Sequence, residues 1–112
     1  IISSMSALRG LPKHLSTYAA SKAALAHLAE GIRAELIDTR IQVSTIYPGY
    51  IRTELNAGAK KLPFEVDEAT GSRLLVEAIE KRPVKAYVPQ WPWQPMGLLM
   101  RTLPLRWVNR LS

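Results

Sequence analysis

The sequence predicts an α/β fold built on a parallel sheet. Three observations carry this: β-branched runs alternate with helical stretches, the helical stretches are long enough to cross a sheet, and Pro or Gly marks the junctions. Ile1 to Ser4 reads as the end of a strand, as though the chain began inside a buried sheet and its N-terminus were a cut edge. No basic n-region precedes it, which is unlike a signal peptide. Residues 5–15, with Gly10 and Pro12, read as a loop. Ser16 or Thr17 then caps a helix running to about Asp38. It is rich in alanine, and Leu25, Leu28, Ile32 and Leu36 form one apolar face, with Gly31 marking a close packing contact.

Ile41 to Tyr47 alternates apolar with polar residues and is rich in β-branched side chains, the signature of a strand. Pro48-Gly49 ends it. Residues 50–65 lack periodicity and read as a mobile flap. Asp67 or Thr70 opens a second helix to about Lys81, with Leu74, Leu75, Ala78 and Ile79 as its buried stripe. Pro83 stops it, and Lys85 to Pro89 forms a short last strand. Three tryptophans and three prolines follow, with Pro95 placed to begin a helix through Thr102.

Cysteine is absent, which excludes a disulfide scaffold, a thiol nucleophile and a cysteine-ligated metal. No apolar run approaches the ~20 residues that span a bilayer. The net charge of +6 comes entirely from residues 81–112, which hold six cations and no acid.

Tyr18-Ala19-Ala20-Ser21-Lys22 sets a phenol and an ammonium four residues apart near a helix start, on one face. A free phenol is almost fully protonated at neutral pH. A fixed ammonium beside it, with the positive field of the helix N-terminus, favours the phenolate. Such a pair can give or take a proton in a carbonyl/alcohol interconversion. The structural alternative is a half-buried tyrosine anchor beside a solvated lysine. The serines at the first strand end are placed where parallel sheets bind ligands, and a hydroxyl there can donate to a developing oxyanion. Taken alone they are turn residues. Gly49, on the same edge, allows backbone close to a ligand.

Ile1-Ile2-Ser3-Ser4, Tyr18-Ala19-Ala20-Ser21-Lys22 and Tyr47-Pro48-Gly49-Tyr50-Ile51-Arg52-Thr53 together resemble, in order and spacing, the short-chain dehydrogenase/reductase family. The resemblance covers residues 1 to about 90 and implies the C-terminal part of a Rossmann-type doubly wound parallel sheet, incomplete here, with residues 91–112 as a basic, tryptophan-rich tail. It implies an NAD(P)-dependent oxidoreductase. Ser4, rather than Ser3, would polarise the substrate carbonyl. Tyr18 would transfer the proton, and Lys22 would lower its pKa and bond the nicotinamide ribose. Pro48, Gly49, Ile51 and Thr53 would line the nicotinamide. The family's Gly-rich dinucleotide turn, the residue that selects NAD or NADP, and its catalytic Asn are not in this sequence, so this chain alone is expected to be inactive.

Residues 54–66 resemble the family's substrate flap, where Leu55, Leu62 and Phe64 would line an apolar pocket; an ordinary surface loop is the other reading. The expected substrate is an apolar alcohol or carbonyl compound, the expected compartment the cytoplasm and the expected assembly a homo-oligomer. His14 and His27 lack metal-ligand spacing. The tail, with Trp91, Trp93, Trp107, Leu98, Leu99, Leu103 and Leu105, is read first as a segment packed on its own or a partner subunit. Peripheral contact with an anionic membrane is its second reading, and no nucleic-acid role is expected. A non-catalytic binding module with the same fold is the alternative to an enzyme.

Overall fold

A computed structural model describes residues 1–56, 58 and 60–111, without the side chains of Leu55 and Leu111. In chain order it holds a 3-10 turn (Met5–Leu8), α1 (Leu15–Glu35), β1 (Thr45–Pro48), a second 3-10 turn (Glu54–Asn56), α2 (Glu68–Lys81), β2 (Lys85–Val88), α3 (Gln90–Thr102) and α4 (Leu105–Leu111). β1 and β2 pair in parallel, with Thr45 opposite Lys85 and Pro48 opposite Val88. On the other side of β1, Ile2 forms a parallel bridge with Ile46: Ser3 N–H donates to the Ile46 carbonyl at 2.8 Å and Ile46 N–H to that of Ile1 at 2.9 Å. β1 is therefore the central segment of three, which is why Ile46 is 1% exposed. The expected parallel α/β arrangement is present.

The elements differ from expectation in several places. Pairing reaches back only to Thr45, so the strand is shorter than 41–47, and Ile41 is exposed. α1 starts at Leu15 without a side-chain cap; Ser16 and Thr17 lie inside it, and Ser16 Oγ donates to the Lys13 carbonyl at 2.9 Å. Leu25, Ile32 and Leu36 of its expected apolar face are half-buried, while the most deeply buried positions are alanines. Ala19 and Ala29 are buried, Ala26 packs on the core, and Leu28 is exposed. Small side chains let the helix approach the Met5–Leu8 turn closely. Gly31 has no neighbour that a side chain would meet, so close packing does not explain it. In α2, Leu74, Leu75 and Ala78 are half-buried but Ile79 is exposed.

α2 begins as its sequence requires, Asp67 accepting the Thr70 N–H at 3.3 Å. It ends at Arg82, whose φ of 53° lies in the left-handed region, just before Pro83. Gly71 is buried because the helix lies directly on Ile51; a Cβ there would sit 2.7 Å from Ile51 Cγ2. α3 starts earlier than Pro95, yet Pro95 is still accommodated as a first-turn proline. The kink at Trp91, whose φ and ψ of −102° and 130° are non-helical, restarts the helix at Pro92, so Pro95 falls in the first turn after it, where proline is tolerated. α4 was not expected from sequence. The Pro104 carbonyl starts it by accepting from Trp107 and Val108 N–H.

Candidate active site

Because the three segments run in parallel, Ser3-Ser4, Pro48-Gly49 and Pro89 all emerge at one sheet edge, the carboxyl ends of the strands. This is where open parallel sheets hold ligands. The two serines differ in their bonding. Ser3 Oγ donates to the Lys22 carbonyl at 2.9 Å, tying the first strand to α1. Ser4 Oγ accepts the Ser6 N–H at 3.1 Å, capping the 3-10 turn, and as acceptor there it keeps its hydrogen for donation.

The turn of α1 that carries Tyr18 and Lys22 is fixed to the strand that carries Ser4. Lys22 is held twice: its carbonyl by Ser3, and its ammonium by the Ile2 carbonyl at 3.4 Å. Ala19, buried between, seats the helix. With its stem directed to the strand, Lys22 places Nζ 5.8 Å from the centre of the Tyr18 ring. The two side chains converge, and Tyr18 remains 46% exposed at the mouth of the site. Ser21 Oγ is occupied by the Tyr18 carbonyl at 2.7 Å, within the helix.

After β1 the chain keeps a strand-like course through Ile51, which bridges to Val66 in parallel. That bridge uses the Tyr50 carbonyl and the Arg52 N–H, at 3.1 and 2.8 Å from Val66. The Ile51 N–H thus points to the opposite side. Thr53 N–H is taken by Asn56 Oδ1 at 2.8 Å, while Asn56 Nδ2 donates to the Ile51 carbonyl at 3.0 Å. Asn56 therefore shapes the segment that carries Ile51 and Thr53. No sequence signal marked it.

Arg52 organises the flap. Its guanidinium donates to the Asn56 carbonyl, to the Lys60 carbonyl at 3.2 Å, and to Glu65 Oε2 at 2.6 Å. Glu65 also accepts the Leu62 N–H at 3.1 Å. That backbone bond, followed by the Arg52 guanidinium, holds the Glu65 carboxyl below its usual range. Of the three residues expected to line a pocket, Leu62 is half-buried, Phe64 is exposed with its ring edge against Trp93, and the Leu55 side chain lies outside the described residues.

Trp93 packs on its own chain, as the first reading of the tail expects. It is 5% exposed and shares the core cluster with Met5 and Tyr47, each next to a strand end of the site. Its indole fills the space beside Gly49, where a Cβ would lie 2.1 Å from Nε1. The room at Gly49 is thus taken up by this side chain. Tyr50 and Phe64 meet the ring edge-on at 5.8 and 6.0 Å. Among the described residues Nε1 has no hydrogen-bond partner. Below this layer Tyr47 stacks on Tyr87 at 5.4 Å, and burial, then the Tyr87 charge, raises the Tyr47 pKa. His27 Nδ1 lies 3.1 Å from the Ala23 carbonyl, on the exposed side of α1.

A family model described as short chain dehydrogenase matches residues 1–62. An uncharacterised oxidoreductase of Mycobacterium tuberculosis is 43% identical over 112 residues, covering all of this chain and 44% of that protein. One of Myxococcus xanthus is 33% identical over 94 residues, covering 83% of this chain and 36% of its own. A Drosophila melanogaster protein named dehydrogenase/reductase SDR family protein 7-like is 32% identical over 95 residues, covering 81% of this chain and 29% of its own. The chain thus spans less than half the length of the curated relatives it matches. Among solved structures, a short chain dehydrogenase from Burkholderia cenocepacia in complex with NADP superposes with a TM-score of 0.73 at 27% identity. That match covers 94% of this chain and 46% of that one.

Proposed function

Since the chain belongs to the short-chain dehydrogenase family, we propose that the protein carrying it is an oxidoreductase that interconverts an alcohol and a carbonyl, using Ser4, Tyr18 and Lys22. The observation that carries this reading is the double anchoring of Lys22 to the Ser4 strand, with its ammonium over the Tyr18 ring. That link between α1 and the first strand supports a reading in which the hydroxyl, the phenol and the cation act together.

In reduction, Tyr18 Oη gives its proton to the substrate oxygen, and in oxidation it takes the proton back. Lys22 stabilises the negative charge that develops on Tyr18 Oη. Ser4 Oγ donates to the substrate oxygen as alkoxide character grows. A nicotinamide dinucleotide, NAD or NADP, supplies or accepts the hydride when bound. The donor set suits its nicotinamide end: the outward Ile51 N–H and the Thr53 hydroxyl for the carboxamide, the Lys22 ammonium for the ribose, and Pro48 for the ring, while the space beside Gly49 holds Trp93. The apolar surroundings at Trp93, Tyr50 and Phe64 favour an apolar substrate. Residues 1–112 by themselves are proposed to be inactive, because they hold only this end of a dinucleotide site.

The test uses the protein with whatever precedes residue 1 intact. Consumption of reduced nicotinamide with a panel of apolar ketones should be lost in Tyr18→Phe, while circular dichroism stays unchanged. Full turnover in that variant would remove Tyr18 from the mechanism.

A further inference from the structure

The C-terminal segment has two unlike sides. Trp93, Met96, Gly97 and Met100 on α3, and Val108 on α4, turn inward. Inward positions at steps of three and four leave the other side of each helix to solvent. Large apolar side chains are exposed along it beside the polar Gln94, Thr102 and Asn109: Trp91 is 79% exposed, Leu98 69% and Trp107 48%. Arg101, Arg106 and Arg110 are exposed among them. The Arg110 guanidinium stands 5.5 Å over the Trp107 ring. No Asp or Glu occurs from Lys81 to Ser112.

We propose that this outward side of α3 and α4 docks on an anionic lipid surface. Tryptophan and leucine enter the boundary between headgroups and acyl chains, while arginines pair with acidic headgroups. The proline break at Pro104 does not prevent it, because exposed apolar side chains lie on both sides of the break, Leu98 on α3 and Trp107 on α4. Arg9 strengthens the placement. It donates to the carbonyls of Met100 and Arg101 at 3.5 and 3.1 Å, fixing the end of α3 to the body and adding a cation there. Among the described residues no helix is long and apolar enough to cross a membrane, so the contact is made from one side. A second copy of the chain is a poorer occupant. A two-fold contact would set these arginines against the same arginines, with no acid in the segment to offset them.

Co-sedimentation of the intact protein with vesicles tests this, comparing phosphatidylcholine alone with equal parts phosphatidylcholine and phosphatidylserine. Binding is expected only to the acidic vesicles and should weaken with salt. Arg101→Glu/Arg106→Glu/Arg110→Glu should weaken it on the order of a hundredfold or more. Leu98→Glu should weaken it too, whereas Lys60→Glu/Lys61→Glu on the flap should not. The proposal is overturned if the wild-type protein fails to bind acidic vesicles at low salt, or binds both vesicles equally. It is also overturned if Leu98→Glu leaves vesicle binding intact, or if that variant instead dissociates an oligomer of a protein that ignores lipid.

Discussion

Substituting Gly49 separates two reasons for a glycine at the edge of the site. A Cβ there would lie 2.1 Å from Trp93 Nε1, 2.2 Å from Cε2 and 2.7 Å from Cδ1. Ordinary carbon contacts sit at about 3.5–4.0 Å, so the indole must move by more than an ångström. It has little freedom to do so, being held by Met5 and Tyr47 beneath and by Tyr50 and Phe64 at its edges. Overpacking of this kind costs about 1–3 kcal/mol, and the severity of the overlap places Gly49→Ala near the upper figure. With a urea m-value of about 1–3 kcal/mol/M, the midpoint should fall by roughly 1 M or more. Trp93→Ala alone should cost about 3–5 kcal/mol. The double variant Gly49→Ala/Trp93→Ala should lose at least about 1 kcal/mol less than the sum of the two, since the methyl enters the vacated space. If Gly49→Ala unfolds at the wild-type midpoint and loses only cofactor affinity, the glycine serves ligand approach and the packing argument is refuted.

Three further expectations concern ionisable groups. Asp67→Ala removes the cap of α2 and should cost about 1 kcal/mol by urea denaturation; Asp67→Asn should recover most of it. The Glu65 pKa is lowered, so its pair with Arg52 is formed above the ordinary carboxylate range and is lost as pH falls through the lowered value. A carboxyl NMR titration should find that midpoint below an ordinary glutamate, and Arg52→Ala should raise it; an unchanged midpoint would contradict the arrangement. The Tyr47 pKa is raised, so its contribution to stability is complete below pH 10.0 and is lost as pH rises through the raised value. In spectrophotometric titration Tyr47→Phe should remove a phenol that ionises above pH 10.0, and loss of one that ionises below it would show that Tyr47 is not buried as described.

Local signals made much of this protein legible from sequence. The Asp67 cap, Pro48-Gly49, Pro83 and the spacing of Tyr18 to Lys22 depend on neighbours along the chain, and the parallel order followed from alternating strands and helices. Tertiary structure decided what depends on distant partners. Strand length was set by where Ile2 and β2 reach β1, not by the β-branched run from Ile41. The most deeply buried positions of α1 went to Ala19 and Ala29, on a helix packed against the Met5–Leu8 turn, and Leu28 was left exposed. Trp93 and Trp107 look alike in a basic, proline-broken tail; only the hollow beside Gly49 gives one of them a core position. Arg52, Asn56 and Glu65 carry no motif, because a hydrogen-bond network that closes a loop exists only once the loop has folded.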